Sequence, residues 1–149
     1  EKYEKLTILT NSIAIVNELM EKPSFTVMLA GGVVHPAEES IIGAACVEQL
    51  RQYRVNFYFL TPSGLSLHSG ITSGVASCGF EDVEVQRAMA DIAGRVIVLC
   101  GSNCFEKVCL LKVCDLIRVE CILTDSRLPA EVRKQYETAD IKIITPDCE

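Results

Sequence analysis

At 149 residues, 49% of them hydrophobic, the chain has apolar material for one good core and reads most simply as a single domain. A net charge of -6 excludes a surface that grips nucleic acid by itself, because phosphate contact is dominated by clustered Lys and Arg. No apolar run approaches the roughly 18 residues of a spanning helix, and the start Glu1-Lys2-Tyr3-Glu4-Lys5 is too charged for a signal peptide, so a soluble cytoplasmic protein without a membrane partner is expected.

Glu1 to Lys5 reads as the last turn of a helix whose start lies upstream. Leu6 to Leu9 is a short apolar run, predicted to be a buried strand, and Ile13, Ile15, Val16 and Leu19 then follow with helical spacing. Between them Thr10, Asn11 and Ser12 supply hydroxyl and amide groups. Asn11 or Ser12 as N-cap leaves the first helical N–H groups facing outward at the positive end of the dipole, an arrangement that attracts anions. The bland reading of the same cluster, a simple helix cap, stays open beside the ligand-binding one.

Lys22-Pro23-Ser24 breaks this helix, and Phe25 to Ala30 is predicted as a second strand ending at Gly31-Gly32, either a tight turn or a place for a ligand to approach the backbone. Val33 to Glu39 reads as irregular. Ser40 to Gly43 leads into a helix over about Ala44 to Tyr53 with Cys46, Val47 and Leu50 as its buried stripe. Val55 to Leu60 is β-branched and aromatic, as a central strand requires, and it ends at Thr61-Pro62-Ser63-Gly64.

Leu65 to Gly79, rich in Gly and Ser, reads as loop or short strand with Ile71-Thr72 briefly paired. Val83, Val85, Ala88, Met89 and Ile92 fit a helix from about Glu81 to Ile92 that Gly94 ends. Val96 to Cys100 is the next strand, Gly101 to Cys104 its loop, and Phe105 to Cys114 a short apolar helix or irregular connection. Leu116 to Leu123 holds another strand, Thr124 to Leu128 a turn, Pro129 opens a helix to about Thr138, and Ile141 to Ile144 is the last strand. Strands alternating with helices at this spacing predict an α/β fold: a mostly parallel twisted sheet with helices on both faces. Ligands of such sheets bind beyond the carboxyl ends of the strands, where the small polar clusters fall.

The sequence contains no G-x-G-x-x-G after its first strand, no Walker lysine motif and no G-x-S-x-G elbow. Its two histidines, His35 and His68, lie in loops without a neighbouring carboxylate, so neither a His-driven triad nor a zinc site is expected. Eight cysteines are too few for a disulfide scaffold and form no C-x-x-C pair, which points to reduced, core-packing thiols. Cys104 differs, because it lies in the polar loop after a strand, where a following helix N-terminus would lower its pKa. No cofactor and no metal site is expected.

Leu9-Thr10-Asn11-Ser12, Leu29-Ala30-Gly31-Gly32, Ser40-Ile41-Ile42-Gly43, Phe59-Leu60, Gly64, Gly70-Ile71-Thr72 and Glu84-Val85-Gln86-Arg87-Ala88-Met89 occur in an order that resembles the effector-sensing domain of DeoR-family bacterial transcription regulators, and Val96 to Phe105 continues it. The resemblance covers essentially the whole chain. It implies a fold similar to ribose phosphate isomerase and glucosamine phosphate isomerase, a small-molecule effector such as a sugar phosphate, and a homodimer or homotetramer. It also implies that a winged helix-turn-helix and a strand with an Asp-x-Gly-Thr-Thr type loop precede Glu1, so that DNA is contacted only through that upstream part.

On a sensor reading the following ligand contacts are expected at the strand ends, each beside a plain structural alternative: a helix cap at Thr10 to Ser12, a turn of the chain at the glycines and a solvated face at Glu84. Thr10, Asn11 and Ser12 take a phosphate or hydroxyls, Gly31 and Gly32 give backbone contacts, Ser63, Gly64 and Thr72 line the sugar side, Glu84 or Gln86 fixes hydroxyls, and Cys104 stands in the rim loop. Ser63, Gln86, Gly101 and Cys104 are neutral where the family commonly has Asp, Lys, Asp and Lys. Proton transfer on a sugar needs a tuned carboxylate or amine, so the chain is expected to be a sensor and not an enzyme. The alternative is an enzyme related to sugar phosphate isomerases or CoA transferases with Glu84 as base.

Overall fold

The computed structural model describes residues 5–74 and 79–146. The helical turn expected at the start lies, apart from Lys5, outside the described residues. The chain divides into two compact units, Glu1–Tyr53 and Arg54–Glu149.

In the first unit β1 (Leu6–Thr10), α1 (Ile13–Leu19) and β2 (Phe25–Leu29) follow the predicted boundaries closely. The strands pair in parallel from Leu6 opposite Phe25 to Thr10 opposite Leu29, so their carboxyl ends finish side by side. The segment expected to be irregular is instead a hairpin: β3 (Val33–His35) pairs antiparallel with β4 (Ser40–Ile42) around a single 3-10 turn at Pro36–Glu38. Three-residue strands are too short to show alternation, and Val33 and Val34 are exposed, so the sequence carried no burial signal there. α2 (Ala44–Leu50) buries Cys46, Val47 and Leu50 as expected but stops short of Tyr53.

The second unit is built on four parallel strands. β5 (Val55–Leu60) leads through β6 (Gly64–Ser66) and β7 (Gly70–Ser73) to α3 (Phe80–Ile92) and β8 (Ala93–Leu99). β9 (Leu111–Cys114), β10 (Val119–Leu123), α4 (Ala130–Thr138) and β11 (Lys142–Ile144) complete it. The parallel sheet has the order β11-β10-β8-β5, and β6-β7-β9 form a separate antiparallel sheet. β5 is therefore an end strand of its sheet and not a central one. Its alternation explains the misreading: Tyr58 and Leu60 face the core while Phe57 and Phe59, equally strand-favouring, are 48% and 60% exposed on the other face.

One core holds this unit together. Leu60, Val96, Val98, Ile122 and Ile143 from the parallel sheet meet Val83 and Ala90 of α3, Leu65, Ile71 and Val113 of the small sheet, and Tyr136 of α4. Each fully buried side chain of this size stabilises the fold by about 1.5–3 kcal/mol through the apolar area it removes from water. Between β8 and β10 the register shifts: Val119 opposes Val96, yet Cys121 opposes Ile97, so Glu120 is an extra residue on β10. It forms an ion pair with Arg95 at 3.2 Å.

Three further boundaries differ from expectation. α3 ends at Ile92, and Gly94 lies inside β8; the Arg118 guanidinium caps the helix end by donating to the carbonyls of Ala90 (3.0 Å) and Ala93 (3.2 Å). Phe105 to Cys114 forms no α-helix and gives a strand only from Leu111. Leu116–Arg118 is a 3-10 turn, which delays β10 to Val119. Among the described residues Cys46, Cys100, Cys104, Cys109, Cys114 and Cys121 are free thiols, and no helix is long and apolar enough to cross a membrane.

Candidate functional site

At the strand ends of the first unit the polar groups are largely taken up by the fold. Thr10 is buried and its Oγ1 accepts the Ser12 amide at 3.0 Å. Asn11 donates its side-chain N–H to the Ile41 carbonyl (3.0 Å) and accepts the Ile41 amide at its own carbonyl (2.8 Å). Ser12 Oγ caps α1 by accepting the Ile15 amide at 3.3 Å. The amides of Ile13 and Val16 are bonded to the carbonyls of Glu39 and Ser12. The outward-facing N–H cradle expected at this helix is thus largely occupied, because the Glu39 carbonyl, delivered by the β3–β4 hairpin, fills it first. Gly31 donates its amide to Gln49 Oε1 at 2.6 Å, and at Gly32 a Cβ would stand 2.6 Å from the Ile42 carbonyl oxygen. Glycine is needed at residue 32 for that close approach.

In the second unit the loops leaving β5, β8 and β10 are tied to each other. Cys104 Sγ donates to the Pro62 carbonyl at 3.7 Å, joining the β8 loop to the β5 loop. The Ser102 amide donates to Asp125 Oδ2 at 2.9 Å, joining the β8 loop to the β10 loop. Asp125 Oδ1 accepts both the Arg127 amide (2.9 Å) and its guanidinium (3.1 Å). The Arg127 guanidinium, the Ser102 amide and the Arg127 amide together hold the Asp125 carboxyl well below the usual carboxylate range. Cys104 closes a 3-10 turn, Ser102–Cys104, and is followed by Phe105 in extended conformation, so the helix expected to activate its thiol is replaced by irregular chain.

The remaining sequence-derived candidates separate into internal and open groups. Thr72, 2% exposed, donates its hydroxyl to the Gly64 carbonyl (3.1 Å) and accepts the Cys109 amide (3.0 Å), while a Cβ on Gly64 would lie 2.4 Å from the Lys107 carbonyl oxygen. These two residues clamp the 107–109 segment onto the β6–β7 hairpin. Residues 65–73 of the segment read as loop or short strand are thus sheet or its turn and largely buried, with Ile71 and Thr72 paired as expected; 75–78 lie outside the described residues. Glu84 is exposed and paired with Arg87 at 2.5 Å. Ser63, half-buried at the β5 exit, and Gln86, half-buried on α3, are not engaged in this way.

Partnerless buried polar atoms mark groups the fold itself does not use. Among the described residues these include Gln86 Oε1, Ser40 Oγ, Ser73 Oγ and Thr124 Oγ1. Thr124, 6% exposed, stands at the carboxyl end of β10 beside Asp125. The sequence placed Thr124 in a polar cluster but gave no reason to prefer it, since its burial comes from neighbours distant in the chain. An open hollow of about 550 Å³ lies elsewhere, at the amino ends of β5 and β8, lined by Arg54, Asp91, Ile117 and Arg118 among others. It is remote in topology from the strand exits where ligands of parallel sheets bind.

The family profile described as DeoR C terminal sensor domain matches residues 1–126. The chain belongs to the DeoR C-terminal sensor domain family. Relatives of this sensor domain are transcriptional regulators. It is 24% identical over 143 residues to the putative aga operon transcriptional repressor of Escherichia coli O157:H7, covering 96% of this chain and 52% of that protein. It is 27% identical over 138 residues to the L-fucose operon activator of Haemophilus influenzae, covering 93% and 54%. It is 25% identical over 130 residues to the glycerol-3-phosphate regulon repressor of Escherichia coli K12, covering 87% and 50%. The chain thus spans about half the length of these relatives, and its fold is mixed α/β with a four-stranded parallel sheet, as expected.

Proposed function

We propose that this sensor domain binds a phosphorylated sugar or a related polyhydroxylated metabolite at the carboxyl ends of β5, β8 and β10, and that occupancy controls DNA binding by a helix-turn-helix in the full-length repressor. The observation that carries the reading is the buried, partnerless Thr124 hydroxyl at the β10 exit, next to loops that the Cys104–Pro62 and Ser102–Asp125 bonds hold in register. A buried hydroxyl without a partner is costly, and a ligand hydroxyl or phosphate oxygen removes that cost on binding. Ser63, Gln86, Cys104 and Thr124 are the proposed contacts, with Arg127, 81% exposed and paired with Asp125, as the cation for a phosphate. The names of the relatives, which include a glycerol-3-phosphate regulon repressor and an L-fucose operon activator, support a small carbohydrate-derived effector.

Thr10, Asn11, Ser12, Gly31 and Gly32 act in this reading as the framework of the first unit, and Gly64 and Thr72 as the framework of the hairpin. Catalysis is not part of the proposal. Glu84, the base that an isomerase-like or CoA-transferase-like enzyme would use, is exposed in its pair with Arg87, and Ser63, Gln86, Gly101 and Cys104 supply no charge. Effector binding shifts the geometry of a homodimer or homotetramer.

Isothermal calorimetry with glycerol 3-phosphate, hexose 6-phosphates and the corresponding free sugars tests the proposal. At least one phosphate ester binds measurably and raises the melting temperature, by the equivalent of about 2.7 kcal/mol at one hundred times its Kd. Silence across the panel overturns the assignment of a sugar phosphate.

A further inference from the structure

Four donors converge on the Asp125 carboxylate in the loop that leaves β10. Oδ1 accepts the Arg127 amide (2.9 Å) and the Arg127 Nε–H (3.1 Å), and Oδ2 accepts the Ser102 amide (2.9 Å) and the Arg127 Nη2–H (3.3 Å). Each oxygen is thus held twice, which fills the acceptor positions of a carboxylate. The β8 loop lies close against it, since a Cβ on Gly101 would stand 3.4 Å from Oδ2. The Arg127 guanidinium and the two amides keep the group ionised at neutral pH. The Asp125 side chain is 31% exposed and that of Arg127 81%, so the ion pair is open to exchange from solvent.

We propose that Asp125 is an internal competitor that decides which effectors this rim accepts: a phosphate dianion displaces its carboxylate from Arg127 and the Ser102 amide, whereas a carboxylate monoanion or an uncharged sugar does not. The inference rests on the effector site proposed above and names the residue that sets its specificity. Two oxygens of a phosphate offer a guanidinium and an amide the acceptors that Oδ1 and Oδ2 now offer, with up to one more negative charge. A tethered carboxylate competes at high effective concentration, so a free group of equal charge loses to it. The dianion gains more from the guanidinium, and the pair it replaces is largely exposed and therefore weak. Thr124, the preceding residue, is 6% exposed with its hydroxyl unpartnered, a donor left over for the incoming ligand. Because the Ser102–Asp125 bond ties the β8 loop to the β10 loop, the exchange also unlatches these loops and turns occupancy into a change of structure.

Calorimetry near neutral pH compares glycerol 3-phosphate, glucose 6-phosphate, gluconate and glucose on the 149-residue chain and on Asp125→Asn, in which an amide oxygen still accepts the Ser102 N–H while the competing charge is gone. The wild type is expected to bind a phosphate ester and not gluconate, and to lose the ester as pH falls below about 6, where the phosphate takes up its second proton. Asp125→Asn is expected to bind the ester about fivefold more tightly or better, and to admit gluconate. A second readout needs no substitution. The carboxyl carbon resonance of Asp125 titrates below the ordinary range in the free wild type, and bound ester is expected to move that titration upward, because the guanidinium and the Ser102 amide have left the carboxylate. Equal ester affinity in the two proteins, gluconate binding to the wild type as tightly as the ester, or an Asp125 titration that bound ester leaves unchanged overturns the inference while the effector site stands. Silence of both esters on both proteins overturns the effector reading, and this inference with it.

Discussion

Asp125 accepts the Ser102 amide at 2.9 Å, so the loop after β10 holds the loop after β8 by a charge-assisted bond. The same carboxylate takes the Arg127 guanidinium, and this partner, ahead of the Ser102 amide, keeps its pKa below the ordinary range. A carboxyl depressed in the folded state adds stability that is fully present above its unfolded pKa of about 4 and is lost as pH falls from there toward the folded value. Melting temperatures followed by circular dichroism should therefore drop below pH 4 in the wild type. Asp125→Asn should flatten that acid limb, and an unchanged limb would count against the clamp.

Thr124→Val removes a buried hydroxyl that bonds to nothing in the fold. Where a lone buried polar group is replaced by an apolar one of the same shape, stability is unchanged or rises, here by up to about 1 kcal/mol. Effector affinity should fall in the same protein, by roughly tenfold if one hydrogen bond worth about 1.4 kcal/mol is lost. Urea denaturation and calorimetry on one preparation separate the two effects. A destabilised variant would show that Thr124 serves the fold and not a ligand.

Gly64→Ala places a Cβ 2.4 Å from the backbone oxygen of Lys107, which cannot rotate away. The 107–109 segment must lift from the hairpin, at a cost of about 1–3 kcal/mol for overpacking a tight contact. Amide exchange should report it locally, with faster exchange at Cys109, whose N–H is held by Thr72. Thr72→Val should speed exchange at the same amide without the steric strain.

Tyr136 is fully buried, packs edge-on against Phe105 with centroids 5.1 Å apart, and donates its hydroxyl to Glu106 Oε1 at 2.7 Å. Burial first, and Glu106 second, raise the phenol above its ordinary pKa. A group raised on folding contributes stability that is present below its unfolded pKa of about 10 and disappears as pH rises through the folded value. Ionisation of Tyr136, followed at the tyrosinate band, should accordingly lag behind that of a free tyrosine, and melting temperatures should fall as pH rises above about 10, a fall that Tyr136→Phe should flatten. Tyr136→Phe should lose about 1 kcal/mol and Tyr136→Ala about 3–5 kcal/mol in chemical denaturation.

The elements that could be read from sequence are those whose residues report on their own surroundings. α2 and α3 carry apolar spacing whose stripe the fold buries, and the parallel pairing follows from strands separated by helices; β1 and α1 form where expected, yet Leu6 of the strand read as buried is 42% exposed and α1 has no fully buried residue. β9 was lost because Leu110 and Leu111 lie in one apolar run, and nothing local says that Leu110 is 68% exposed while Val113 is core. The polar clusters after the strands were also legible, yet their occupation was not. Asn11 is spent on Ile41, thirty residues away, and Thr72 on Cys109, thirty-seven residues away. Such partners depend on how the hairpins dock, and a single sequence does not encode that locally. Thr124 stayed hidden for the converse reason: its amide bonds to the Ile144 carbonyl, and what marks it is a buried hydroxyl without a partner.

The surplus residue on β10 bears on which length variants the fold tolerates. Val119 and Cys121 already stand opposite Val96 and Ile97, two consecutive positions, so excising Glu120 would straighten the ladder without turning Ile122 or Leu123 inside out. Only the exposed Arg95 pair would vanish, and such surface pairs are worth at most about 1 kcal/mol. Codon 120 is thus a place where descent can drop an amino acid and keep the architecture, whereas the loss of Val119 would carry the Glu120 carboxylate to the place opposite Val96, a core residue.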